Sequence, residues 1–150
     1  MGEVGYTDII DYAIKREQEA VQFYRELIHF AKLASQREMI REIMRMEESH
    51  EKLLKNMKKK SPGELRERTA DWFEPASYLV EAPPTGEMSL QDILIIAMKR
   101  EERSYALYRE LQEQTDSEEL RQTFEVLAGE ETQHKKFFQE LYDTQVQADN

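Results

Sequence analysis

Residues 13–27, AIKREQEAVQFYREL, and residues 97–111, AMKREERSYALYREL, are two versions of one segment, and the same offset of 84 carries Glu47-x-x-His50 onto Glu131-x-x-His134. The repeat extends over residues 8–57 and 92–141, about the size of two helices and a turn. A chain duplicated in this way reads as two helical hairpins packed on each other. Many of its differences swap one apolar residue for another, as in Ile14/Met98, Ile43/Leu127 and Leu53/Phe137, which preserves a packing surface. The retained Glu and His residues have no such packing reason to be kept.

Capping patterns place the helices near 7–33, 36–60, 89–115 and 117–145. Thr7 or Asp8 can cap the first, Ser35 with Glu38 the second, Ser89 with Asp92 the third, and Asp116 with Glu119 or Thr115 with Glu118 the fourth. The second helix ends in a run of lysines that suits the negative end of its dipole, and Ser61-Pro62-Gly63 stops it. Residues 61–88 hold Pro62, Pro75, Pro83 and Pro84 and an aromatic patch of Trp72, Phe73 and Tyr78, so they read as one long crossover with a short helical turn near 64–71. A helix of this size is about 40 Å long at ~1.5 Å per residue, whereas the extended crossover reaches roughly 90 Å at ~3.3 Å per residue. It can therefore run the length of a bundle. Short turns within each half and one long connection between halves predict an all-α, ferritin-like four-helix bundle, formed as a single domain over residues 1–150.

Apolar stripes spaced by 3 and 4 locate the interior of that bundle. The first helix reads Ile10, Ile14, Glu17, Val21, Tyr24, Ile28, Ala31, and the third reads Leu94, Met98, Glu101, Tyr105, Tyr108, Gln112. A Glu interrupts each stripe. The second reads Ile40, Ile43, Glu47, His50, Leu54, Met57, and the fourth reads Leu120, Phe124, Leu127, Glu131, His134, Phe138, Leu141. Here the interruption is Glu-x-x-His. With the hairpins turning near residues 34 and 116, all six polar side chains fall at one level.

Ionised carboxylates in an apolar interior lose several kcal/mol of hydration each, roughly, and repel one another. Something must neutralise them. Two divalent ions balance the charges of Glu17, Glu47, Glu101 and Glu131, and His50 and His134 give one neutral nitrogen to each ion. A carboxylate and imidazole set without thiolate suits iron or manganese better than a closed tetrahedral zinc site. One Glu on each of two helices with Glu-x-x-His on the other two is the general pattern of di-iron and di-manganese bundles. The competing reading is a bundle whose acids pair with Arg16, Arg100 or a lysine.

Other residues divide between roles. Tyr24 and Tyr108 follow the helical Glu by seven residues, either as core aromatics or as phenols bonded to a ligating carboxylate. His29 falls off its stripe, Met44 and Met46 read as helix filling, and Glu48, Glu51, Glu102 and Glu130 read as solvated, with Glu130 close enough to the six residues to be kept in view. Trp72 is expected to cover the bundle, with a substrate lid as the lesser alternative.

Composition narrows the partners. The chain contains no cysteine, which excludes disulfides, thiolate zinc and a Cys-ligated iron centre, so electrons must come from another molecule. A formal charge of −10 argues against nucleic acid and against anionic lipid. The longest apolar run, Ile93–Met98, is far short of a membrane span, and no leader pattern opens the sequence, so the expectation is a cytoplasmic protein.

The six-residue constellation and its tyrosines resemble the ferritin-like di-iron domain of rubrerythrins over nearly the whole chain outside the crossover. The resemblance implies two iron ions, with manganese as the alternative, and reduction of peroxide or dioxygen with electrons from an external donor such as a rubredoxin or its reductase. A homodimer is expected by the same likeness. Many rubrerythrins carry a further Glu three residues after the third-helix ligand. Ser104 stands there, and Ala20 at the matching place in the first helix. Two other functions compete: iron storage or ferroxidase activity without peroxidase turnover, and a metal-free interaction module using the aromatic crossover.

Overall fold

The computed structural model describes residues 5–60, 72–78, 80 and 87–149. Among these residues the chain forms four long helices and no strand: α1 (Tyr6–Leu27), α2 (Ala34–Lys60), α3 (Leu90–Gln114) and α4 (Glu118–Asp149). α1 pairs with α2 and α3 with α4, giving the two hairpins of a ferritin-like bundle. The turn expected near 64–71 and the Ser61-Pro62-Gly63 stop lie outside the described residues.

Caps depart from expectation at three helix starts. α1 begins at Tyr6, with Gly5 as cap and the Asp8 carboxylate accepting from the Gly5 N–H at 3.0 Å; Thr7 and Asp8 are inside the helix. α2 likewise includes Ser35 within its first turn. At α4 the cap is Ser117, whose Oγ accepts from the Leu120 N–H at 3.3 Å, in place of the expected Thr115 or Asp116. Ser89 and Asp92 form the expected reciprocal box at the start of α3. α1 also stops at Leu27 and tightens into a 3₁₀ turn, Ile28–Phe30, while α4 runs on to Asp149.

Both hairpin turns are fastened by the same residue of the repeat. Arg37 donates to the carbonyls of Ala31 and Lys32 at 3.1 and 2.9 Å, and Arg121 donates to the Thr115 carbonyl at 3.0 Å. Arg37 and Arg121 are one repeat length apart, as are Ala31 and Thr115. These arginines cover carbonyls that the helix ends leave without intrahelical partners.

The buried apolar residues form two clusters separated along every helix. One contains Ile10, Ile14, Leu54, Leu107, Phe124 and Ala128; the other contains Ala20, Leu27, Ile43, Ala97 and Phe138. On α1 the first ends at Ile14 and the second begins at Ala20, with Glu17 between them. α2 passes from Ile43 to Leu54 across Glu47 and His50, α3 from Ala97 to Leu107 across Glu101, and α4 from Ala128 to Phe138 across Glu131 and His134. The six polar residues therefore occupy a layer closed above and below by hydrocarbon. One assignment moves: Tyr105, placed on the inner stripe of α3, is 41 % exposed, and Ala97, Leu107 and Leu111 do the packing instead.

The described part of the crossover lies against α1 and α3. Trp72, Phe73 and Tyr78 pack on the first cluster, as expected of Trp72. The Tyr12 hydroxyl donates to the Pro75 carbonyl at 2.9 Å, and Arg100 donates to the Val80 carbonyl at 3.3 Å.

Candidate metal centre

Glu17, Glu47, His50, Glu101, Glu131 and His134 are each at most 3 % exposed. Their candidate ligand atoms form two overlapping groups, Glu17–Glu47–His50–Glu131 and Glu47–Glu101–Glu131–His134, and within each group those atoms lie within 4.8 Å of one another. Glu47 and Glu131 belong to both. Each group is thus completed by one Glu from the opposite helix of its hairpin and one His, and the repeat exchanges the two groups.

The imidazoles face inward through Nδ1. His50 Nδ1 lies 3.3 Å from Glu131 and 3.5 Å from both Glu17 and Glu47. His134 Nδ1 lies 3.2 Å from Glu47, 3.5 Å from Glu131 and 3.6 Å from Glu101. The rings are near parallel, 6.3 Å apart. On the other side of the carboxylates, the Tyr24 hydroxyl donates to Glu101 and the Tyr108 hydroxyl to Glu17. Each phenol crosses from one hairpin to the other. Tyr24→Phe and Tyr108→Phe are each expected to cost about 1–3 kcal/mol, since each leaves a buried carboxylate oxygen without its donor. Urea unfolding of the metal-free variants measures it, and the repeat makes the two losses similar.

Glu17 Oε2, Glu47 Oε1, Glu101 Oε2, both Glu131 oxygens and both histidine Nδ1 atoms are buried without a hydrogen-bond partner. Among the described residues none of the four acids pairs with an arginine or lysine; Arg16 binds Glu19 at 2.7 Å and Arg100 turns to Val80. That removes the competing reading of a salt-bridged bundle. Buried, unpartnered oxygens and nitrogens converging on common points fit bound divalent ions.

Charge distribution in the metal-free protein shows the same demand. Burial, then the charges of Glu131, Glu17 and Glu101, push the Glu47 carboxyl well above its ordinary value. Burial and Glu131 raise Glu17, and raise Glu101 to about 8, even though the neighbouring histidines pull both back. Glu131 goes the other way: burial opposes ionisation, but contacts with His134 and His50 outweigh it and hold the carboxyl below the usual range. The imidazoles, which burial alone would lower, are raised by Glu131 with Glu17 to about 11 at His50, and by Glu101 with Glu131 to about 9 at His134. Without metal, protons supply the positive charge.

A cavity of about 10 Å³ reaches this layer, lined by Glu47, Glu101 and Tyr24, by Arg16 and Arg100, and by Ala20 and Ser104. That is room for roughly one water molecule. Ser104 and its repeat counterpart Ala20 thus line an opening beside the acids.

Glu130, read as solvated but near the site, touches the outer Nε2 of His50. The contact of Met46, read as helix filling, with the outer Nε2 of His134 was missed in the sequence.

A helical bundle with a buried layer of four carboxylates and two imidazoles is a carboxylate metal-binding protein of the ferritin-like class. The chain belongs to the rubrerythrin family, whose model matches residues 8–143. Among solved structures it is similar to a candidate ferritin-like diiron-carboxylate protein of Thermotoga maritima, at 22 % identity and a TM-score of 0.79, over 95 % of this chain and 97 % of that one. A hypothetical protein of Pyrococcus furiosus aligns at 25 % identity and a TM-score of 0.72, over 92 % of this chain and 88 % of that one. CopM in its Cu(I)-bound form shares the fold at 11 % identity and a TM-score of 0.69, over 93 % and 96 % of the two chains. No curated protein sequence matches the chain significantly. Among the described residues no helix is long and apolar enough to cross a membrane.

Proposed function

We propose that this chain is a single-domain, cytoplasmic dimetal oxidoreductase that reduces peroxide or dioxygen with electrons from an external donor such as a rubredoxin or its reductase. Glu17, Glu47, His50, Glu101, Glu131 and His134 hold two iron ions, with manganese as the alternative. The observation that carries this reading is the pair of overlapping ligand groups sharing Glu47 and Glu131. Bound there, the metals supply electron transfer and Lewis acidity to an oxygen substrate.

The protein's own residues do the rest. Glu47 and Glu131 fix the spacing of the two positions, and the apolar clusters on either side exclude bulk water. Tyr24 and Tyr108 keep their protons, because burial and then the charges of Glu101 and Glu17 respectively raise both phenols well above their ordinary value. They hold Glu101 and Glu17 in place as hydrogen-bond donors. The cavity at Ala20 and Ser104 gives a small substrate a way to the carboxylate layer.

Anaerobically reduced, metal-loaded protein supplied with a competent donor is expected to consume hydrogen peroxide, at least tenfold faster than the metal-free protein. Absence of consumption, with many irons retained per chain in a large particle, would replace this reading with iron storage. Ser104 at the cavity, standing where many rubrerythrins have a further Glu, is the feature that favours that second reading.

A further inference from the structure

The repeat makes the two metal positions equivalent in their inner ligands, and the structure shows that they differ one atom further out. His50 Nε2 bonds to the Glu130 carboxylate, which reaches across from α4 to α2. His134 Nε2 lies 3.3 Å from Met46 Sδ, which reaches from α2 to α4. Residues 46 and 130 are one repeat length apart, as are His50 and His134, so the fold gives both side chains the same task. One is a carboxylate and the other a thioether.

We propose that Glu130 and Met46 make the two positions unequal, so that the position completed by Glu17 and His50 binds its ion more tightly and fills first. This rests on the dimetal reading above. A histidine that ligates through Nδ1 carries its proton on Nε2, and the partner of that N–H fixes the ring and sets its basicity. A carboxylate accepts that proton strongly and pushes electron density towards Nδ1; a thioether sulfur is a weak acceptor and does little of either. Loss of such a partner weakens a metal site by about 10–100-fold. The position completed by Glu101 and His134 lacks one from the start. Its imidazole also borders an outer groove of about 370 Å³, where Met46 is the side chain against Nε2 although Glu42, Lys136 and Glu140 line the same groove. Glu130 is a positioning residue in this scheme: it touches the histidine and not the ion. Its side chain is 36 % exposed, which leaves room to change it without opening the core.

The test is calorimetric titration of Mn(II) into the metal-stripped full chain, with the variants Glu130→Gln, Met46→Glu and the exchanged pair Met46→Glu/Glu130→Met. In the unaltered protein two binding steps are expected. Glu130→Gln should weaken the first step by about 10–100-fold and bring the two together. Met46→Glu should bring them together from the other side, by strengthening the second. The exchanged pair should restore two separated steps, an outcome that damage to folding cannot produce. Two ions bound with a first step unchanged in Glu130→Gln would overturn the inequality and leave the dimetal reading standing. No ion bound by the unaltered chain would overturn both.

Discussion

Glu131→Gln and Glu47→Gln are expected to abolish metal binding alike and to change the stability of the metal-free protein differently. Each residue is shared by the two ligand groups, so an amide at either position removes a carboxylate from both metals, and the metal content should fall from about two per chain to near zero. Glu17→Gln, which touches one group, should lose about half. Elemental analysis of anaerobically purified protein decides between these outcomes. Equal partial losses at Glu17, Glu47 and Glu131 would show that no ligand is shared. In the metal-free state Glu131 is the anion that lies between two buried imidazoliums, 3.3 Å from His50 and 3.5 Å from His134. Neutralising it breaks a buried charge cluster at its centre, for which about 3–5 kcal/mol is expected. Burial and three neighbouring acids push the Glu47 carboxyl well above its ordinary value, so the neutral acid is the form expected without metal, and a glutamine is close to it in shape and charge. Its replacement should change stability by less than about 1 kcal/mol. Urea unfolding of both variants without metal, near pH 6, measures the contrast. If Glu47→Gln proves as destabilising as Glu131→Gln, protons are not what holds the empty centre together.

The bundle and its buried layer of acids and histidines were legible because the repeat and the apolar period report the same thing. A stripe interrupted by Glu at 17 and 101, and by Glu-x-x-His at 47 and 131, marks one level of the interior in all four helices, and that is where the structure has them. The contacts made by residues flanking the stripe were not legible. Glu130 adjoins Glu131 on a face that periodicity assigns to solvent, yet it sits where α4 meets α2, and a side chain of its length reaches across the seam to His50. Met46 does the same towards His134. Helical spacing tells which way a residue points from its own axis and carries no information on how closely the next helix stands. Tyr105 fails for the related reason that a stripe is wider than the contact it predicts; the inner wall of α3 is made by Ala97, Leu107 and Leu111 instead. Cap positions shifted because several candidates stood in a row at each start. The Gly5 backbone with Asp8, and Ser117 with Leu120, take the role that Thr7 and Asp116 could have filled equally well by residue type.

Raising the pH from about 6 to about 9 should destabilise the metal-free protein and increase the stabilisation gained on adding metal. The sign follows from which state holds more protons. Glu101 rises from an ordinary 4.5 to about 8, so its contribution is complete below 4.5 and disappears as the pH climbs through about 8. His50 and His134 rise from 6.5 to about 11 and about 9, so theirs is complete below 6.5 and lost above it, first at His134. Glu131 is lowered from 4.5 and acts in the opposite sense: its contribution is present above 4.5 and fades as the pH falls further, which sets the acid limit of stability. Across the range from 6.5 to about 9 the folded metal-free chain therefore holds protons that the unfolded chain has released, and its melting temperature should drop by several degrees. Divalent ions take the place of those protons. Their binding releases them, so affinity climbs with pH over the same interval and the melting temperature of the loaded protein stays level or rises. Melting curves with and without Mn(II) at about pH 6 and about pH 9 make the comparison. A metal-free protein that melts higher at the alkaline value would mean that the four carboxylates are already ionised and compensated by something other than protons, and unbalanced acid charge would no longer account for the centre's demand for metal.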